Sequence, residues 1–287
     1  VGDYFFGCPA CLERGTSSNL ALVYEGKGQI HTEADGWHRY QDFLPYDDTV
    51  SLGEGFTPVR AFPRLAKELG FRKLYTKHEF QNPTGSHKDR MNPFITARAR
   101  EAGYSTVTCA SSGNEAASLA AYAAAEGLNC VNVSTRSIPS LWKNASDATG
   151  AKLVLTDTPA ARLFYQKEQL AQGKDWYPAT NLLDIPSGSS PYGIEGYKTL
   201  PFELYEQLQD KLPDYILIPT CRGDLLYGIY LGFRDLLQAD YIQTLPHLVA
   251  CEPIPRLELI LSGQRRVEDK FEGDSSSMSS IGGNTAT

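Results

Sequence analysis

The sequence predicts an α/β fold, two three-layer domains with mostly parallel sheets, and three observations carry that expectation. From Lys73 onward, short apolar runs alternate with longer helical periods. Strands that alternate with helices need crossovers, and each crossover buries an apolar helix stripe on one face of a parallel sheet. Three of the strand ends run directly into turns of small polar residues followed by helices, the arrangement that opens ligand sites at the carboxyl edge of such sheets. Finally, 287 residues with 41% hydrophobic content are enough for about two buried cores.

Taken in order, KLYTKHEF reads as a strand leading into a turn and TVTCA as a buried strand. EAASLAAYAAAEGL is an alanine-rich helix stopped by Gly127. VNVS and KLVLT are the next strands, and PAARLFYQKEQLAQG is a helical period with a terminal glycine. YILIPT (215–220) is a strand bounded by Pro213 and Pro219, and HLVACEP closes the series. The stretch 177–193 is rich in proline, glycine and serine and reads as a passage between domains. The expected division is a small domain at 93–185 and a discontinuous large domain of 1–92 plus 186–287, with 1–50 as an N-terminal extension. The final residues, 272–287, are small and polar and read as a frayed tail.

Composition narrows the partners. A net charge of −7 with no basic stripe argues against nucleic acid. No apolar stretch approaches the roughly 20 residues that span a bilayer, and VGDYFFGC lacks the features of a signal peptide. The expectation is a cytoplasmic protein acting on a small molecule, with a homodimer as the default assembly. Cys109, Cys130 and Cys251 lie in or beside apolar runs, where cysteine behaves as a small hydrophobe. Cys8 and Cys11 form a CPAC pair, but a closed zinc site needs four ligands and no second pair follows at ribbon spacing, so no metal is expected.

Three segments carry chemistry. In NPTGSHKDR (82–90), Pro83 and Gly85 force a turn, Ser86 can cap a helix, and Lys88 projects from its first turn. A partly desolvated lysine there suits imine formation with an aldehyde, and the alternative is a solvated lysine opening a helix. In ASSGNEAASLAAYAA (110–124), a turn leads into a helix N-terminus whose amides suit an anion. Ser111, Ser112 and Asn114 can reach a ligand, while Ser112 and Glu115 also match a capping box. In IPTCRGDLLYGIYLGF (218–233), the backbone amides of Cys221, Arg222, Gly223, Asp224 and Leu225 can cup a phosphate, with Arg222 adding charge.

In this order, these segments resemble the fold type II enzymes that use pyridoxal 5′-phosphate (PLP), and within them threonine synthase and its relatives. SLGEGFTPV (51–59) resembles the family's entry motif, LYTKHEFQNPTGSHKDR its lysine motif and SSGNEAASLAAYAAAEGL its asparagine loop. IEGYKT (194–199) resembles the stretch before the phosphate loop, and the match is collinear over 51–233. The resemblance implies PLP bound as a Schiff base on Lys88, Asn114 at the ring hydroxyl, and the CRGDL turn at the cofactor phosphate. It implies a substrate set of Thr84, Ser111, Ser112, Gly113, Asn114 and Glu115. SSIGGNTAT resembles a region that continues in the family, so a further C-terminal part is expected beyond Thr287, including the partner of the pyridine nitrogen.

The activity so implied is that of a carbon–oxygen lyase, elimination or replacement on an amino acid, nearest to conversion of O-phosphohomoserine to threonine. Three positions differ from the family pattern: His87 stands for an aromatic residue, Glu115 for a threonine, and CRGDL for a loop rich in glycine and asparagine. Glu115 would repel a substrate phosphate unless it turns back to cap its helix, and His87 can serve as an extra acid or base or simply pack. One alternative is β-replacement or β-elimination on an activated serine or a diamino acid. Another is a catalytically silent PLP-binding or partner-binding homologue.

Overall fold

The computed structural model describes residues 3–111, 113–183, 188–209, 211–267, 269–273, 276, 278 and 281. Helix α1 (Pro9–Glu13) is followed by a 3-10 segment, Gly36–Phe43, that buries Trp37, Tyr40 and Phe43. A short antiparallel pair, β1 (Val59–Ala61) and β2 (Tyr75–Lys77), flanks α2 (Pro63–Glu68). Two 3-10 turns, Glu79–Gln81 and His87–Arg90, then lead into α3 (Asn92–Glu101).

The main sheet contains β3 (Thr106–Cys109), β4 (Asn129–Thr135), β5 (Lys152–Thr156) and β6 (Trp176–Pro178), in the order β5-β4-β3-β6 with every pair parallel. Its connections are α4 (Asn114–Glu126), α5 (Ser140–Ala148) and α6 (Pro159–Ala171). All four residues of β3 are buried, as parallel strands covered on both faces require. Helices α7 (Pro191–Gly196) and α8 (Thr199–Gln207) precede β7 (Tyr215–Pro219), α9 (Asp224–Gln238), β8 (His247–Cys251) and α10 (Arg256–Leu261). Strands β7 and β8 pair in parallel through the α9 crossover. The chain is therefore α/β with mostly parallel sheets.

Helix α3 fixes the position of everything that follows Lys88. Met91, just before it, and Ile95 and Ala99 join one core with Val107, Leu119 and Tyr197, whereas Phe94 joins a second core with Trp37, Phe202 and Phe233. The helix is buried on most sides although Asn92, Thr96, Arg98, Arg100 and Glu101 make half of its residues polar or charged. Full burial of Met91 and Ile95 contributes roughly 1.5–3 kcal/mol each. Helix α7 lies against the start of α3 so closely that a Cβ on Gly196 would come within 1.9 Å of the Arg90 carbonyl oxygen, so only glycine fits there.

The stretch 177–193, read as a passage between domains, carries regular structure at both ends. Its start belongs to β6, where Pro178 pairs with Thr108, and its end opens α7 at Pro191. β6 is an edge strand, the place in a sheet where proline is tolerated. Residues 184–187 and most of the tail at 272–287 lie outside the described residues. All six cysteines are free, with Cys109 and Cys130 buried and Cys251 half-buried. Among the described residues no helix is long and apolar enough to cross a membrane.

Candidate active site

The turn that carries Lys88 is built from its own residues. Gly85 adopts a φ of 87°, and Ser86 caps the following turn, its Oγ accepting a hydrogen bond from the Lys88 amide at 3.3 Å. Asp89 is fully buried and accepts from the Thr84 amide at 2.6 Å, the Thr84 hydroxyl at 2.5 Å and the Ser118 hydroxyl at 2.6 Å. Thr84 thus holds the turn through both its amide and its hydroxyl.

Arg90 locks the other side. Its guanidinium donates to Glu79 at 2.7 and 2.8 Å, to Glu203 at 2.6 and 2.9 Å, and to the Thr199 hydroxyl at 2.8 Å. The entry motif folds onto the same turn. The Gly55 amide donates to Asn82 Oδ1 at 3.0 Å, Thr57 donates to Glu79 at 2.6 Å, and Tyr122 donates to Glu54 at 2.7 Å. Four distant segments therefore fix the backbone from which Lys88 projects.

The Lys88 side chain is 19% exposed, and its Nζ lies 3.1 Å from Glu115 Oε2 and 5.9 Å from the centre of the Tyr197 ring. Burial alone would lower the pKa of this ammonium, but Tyr197, Glu115 and Asp224 outweigh it and the net direction is upward. His87 packs with its ring 5.6 Å from that of Tyr197. Burial, and then the Lys88 charge, push its imidazole down to about 3. His87 is a neutral wall at ordinary pH rather than an imidazolium acid.

Helix α4 starts at Asn114, with Gly113 at its N-cap and no side-chain cap. Ser111 Oγ accepts from the Gly113 amide at 3.3 Å, and Ser112 lies outside the described residues. The Glu115 carboxylate faces Lys88 and is 9% exposed, and its capping-box partner Ser112 lies outside the described residues. Burial raises its carboxyl, with Lys88 opposing. Asn114 is half-buried, and its side chain makes no hydrogen bond among the described residues.

At the third segment β7 ends and α9 begins through Gly223, whose φ of 93° is left-handed. Arg222 is exposed at the edge of a cavity of about 280 Å³ lined also by Ser18, Asn19, Gly188, Asp224 and Tyr227. Asp224, buried in the first turn of α9, accepts from both the amide and the hydroxyl of Ser189. The Cys221 carbonyl accepts from the buried Arg256, and Leu225 packs against both cores.

Lys88, Glu115 and Tyr197 are thus brought together, with Asp224 and Arg222 acting on Glu115 through space. Tyr197 and Ser189 were not singled out by the sequence reading. Tyr197 stands inside IEGYKT and had a signal there, whereas Ser189 had none. Among the described residues no group of three or more His, Cys, Asp or Glu side chains is placed to hold a metal ion.

Comparison with known proteins identifies the family. The family described as pyridoxal-phosphate dependent enzyme matches residues 50–286. Threonine synthase of Methanocaldococcus jannaschii is 34% identical over 238 residues, covering 82% of this chain, and that of Methanosarcina acetivorans is 33% identical over 240 residues, also covering 82%. The chain spans 57% and 58% of the length of these two relatives. Among solved structures, a pyridoxal 5′-phosphate-dependent aspartate racemase superposes with a TM-score of 0.62 at 25% identity, over 75% of this chain and 63% of that one. The chain belongs to the pyridoxal-phosphate dependent enzyme family, in its fold type II branch, and its cofactor is pyridoxal 5′-phosphate.

Proposed function

We propose that the chain carries PLP on Lys88 and uses it for elimination or replacement on an amino-acid substrate, as a lyase of the threonine-synthase kind. The observation that carries the reading is the contrast among three enclosed lysines. Lys77 donates to the Thr57 carbonyl, Glu203 and Gln207, and Lys198 is held by Glu195 at 2.7 Å and Asp235 at 2.8 Å. Those two amines are built into the scaffold. Among the described residues, Lys88 has the Glu115 ion pair and the Tyr197 ring beside it, on a turn braced by the entry motif, α4 and α8.

The donor set suits the cofactor: a primary amine, an uncommitted carboxamide at Asn114, and a helix N-terminus with Arg222 at the edge of its cavity. Asp224 is the departure, because it takes the Ser189 donors and places a carboxylate beside them. Bound here, PLP supplies an electron-withdrawing ring that stabilises negative charge at the substrate α-carbon. Lys88 then moves the proton at that carbon, Asn114 tunes the ring hydroxyl, and Ser111, Ser112 and Gly113 receive the substrate carboxylate. The cavity by Arg222, Gly223 and Asp224 takes the cofactor phosphate. Tyr197 and neutral His87 close one wall and exclude water.

The reading divides the chain into a small domain at 93–185 and a large one at 1–92 plus 186–287. It is supported by the β5-β4-β3-β6 sheet falling within 106–178 and by the separate β7–β8 pair. A second reaction, β-elimination or β-replacement on an activated serine or a diamino acid, is favoured by the position of Glu115. Borohydride reduction of the PLP-loaded protein followed by peptide mapping tests the central assignment. A label on Lys88 is expected, and a label on Lys77 or Lys198 overturns it. A substrate panel with products identified by mass spectrometry then separates the two reactions.

A further inference from the structure

Glu115 is the buried ionisable group whose surroundings leave most to explain. Its carboxylate is 9% exposed, and among the described residues its partner is Lys88, whose Nζ lies 3.1 Å from Oε2. The other charges acting on it are Asp224, which opposes its ionisation, and the exposed Arg222, which favours it. Cys109 and Cys130 are its buried neighbours, both kept as neutral thiols by burial. On the reading that Lys88 is the cofactor lysine, on which this inference rests, that amine is no longer a free ammonium once the cofactor is bound. Glu115 then loses its counter-charge, and burial drives it toward the neutral acid unless a substrate cation takes the place of Lys88 and holds it as a carboxylate. A buried charge in that state calls for a replacement cation or hydrogen-bond donor.

We infer that Glu115 is the specificity-determining residue of the substrate pocket and selects a short diamino acid, whose side-chain ammonium takes the place that Lys88 holds in the cofactor-free protein. The same carboxylate repels a phosphate monoester on the substrate side chain, and Asp224 adds to that negative field. The neutral wall of His87 and Tyr197 leaves the selection to charge at Glu115. Selectivity by a desolvated carboxylate is strong because the wrong partner leaves it unpaired.

The test is titration of the PLP-loaded full chain with 2,3-diaminopropionate and with O-phosphohomoserine, followed by the visible band of the bound cofactor. Half-saturation by the diamino acid is expected at least tenfold below that of the phosphorylated one. Glu115→Gln keeps the shape and removes the charge, so it should weaken the diamino acid at least tenfold and bring the two ligands close together. Glu115→Thr should do the same and serves if the Gln variant folds poorly. A wild-type preference for O-phosphohomoserine, or a ratio unchanged within twofold in both variants, overturns the inference. Borohydride mapping on the same samples separates the two levels. A label on Lys88 with an unchanged ratio sinks only the Glu115 role, whereas no label on Lys88 sinks the underlying reading and the inference with it.

Discussion

Asp224 accepts two hydrogen bonds from Ser189, one from its amide at 3.0 Å and one from its hydroxyl at 2.8 Å. An amide, a hydroxyl and a nearby helix N-terminus are the donors a phosphate group would use, and here a carboxylate already has two of them. Asp224→Asn removes the charge while keeping an acceptor for Ser189. Cofactor affinity, read by visible titration, should rise about tenfold, equivalent to about 1.4 kcal/mol. Stability of the cofactor-free protein should fall slightly, because an anion in the first turn of a helix contributes about 0.3–1 kcal/mol. Opposite signs in the two measurements are the mark of this arrangement, and a parallel loss in both would make Asp224 purely structural.

Arg90 spans two carboxylates, Glu79 and Glu203, and all three side chains are shielded from solvent. Arg90→Ala should cost about 3 kcal/mol in urea unfolding, because it leaves the Glu79 carboxylate without its cation, while Glu203 keeps Lys77. Arg90→Lys should recover little of it, since an ammonium has three donors and lacks the planar fork that serves both partners. A recovery of more than half would show that charge alone, and not the fork, holds the turn.

These two arrangements mark what could be read from the chain and what could not. Pro83, Gly85 and Ser86 announced the turn before Lys88, and Gly127 the end of α4, because turn and cap chemistry is local. The positive φ at Gly223 belongs to the same class. The partners of Arg90 lie 11 and 113 residues away, and Ser189 lies 35 residues from Asp224, separations at which no local pattern selects a partner. Glu115 matched a capping box in sequence, but its pairing with Lys88 comes from the turn carrying Lys88 packing against α4, which no local pattern announces. Likewise β6 escaped notice because its three residues end in proline and strand character there comes from pairing with β3.

His87 gives the protein an acid-sensitive contact. Its folded-state pKa is depressed to about 3 from the ordinary 6.5, so the unfolded chain binds the proton more readily between those values. Stability from this group is complete above pH 6.5 and is lost as pH falls toward 3, by up to about 1.4 kcal/mol per pH unit. Glu79, depressed to about 2 chiefly by Arg90 against the opposing effect of burial, adds a loss of the same sign only below about 4.5. Glu115 and Glu195, both raised by burial, act in the opposite sense. His87→Phe should therefore flatten the stability profile between pH 6.5 and 4.5 in the cofactor-free protein while leaving the steeper fall below it. Urea midpoints across that range for both proteins decide the matter, and identical profiles would mean that His87 is hydrated in solution.

The turn after β7 separates a charge contribution from a backbone one. Arg222 is exposed at the edge of the 280 Å³ cavity, so solvent screens it and its contact with a cofactor phosphate should be worth the lower end of a charge-assisted hydrogen bond, about 1.5 kcal/mol. Arg222→Ala should then weaken PLP retention about tenfold with the fold intact. Gly223 contributes differently, because its φ of 93° lies where a branched side chain is strained and it caps α9 directly before Asp224. Gly223→Val should therefore weaken PLP more than Arg222→Ala does and also lower the stability of the cofactor-free protein. Gly223→Ala, strained but small, should fall between the two. Visible titration of all three variants, paired with urea unfolding without cofactor, checks the ordering. If Arg222→Ala retains PLP fully but shifts the choice between diamino and phosphorylated amino acids, Arg222 faces the substrate, and the phosphate is held by the backbone amides of α9 alone.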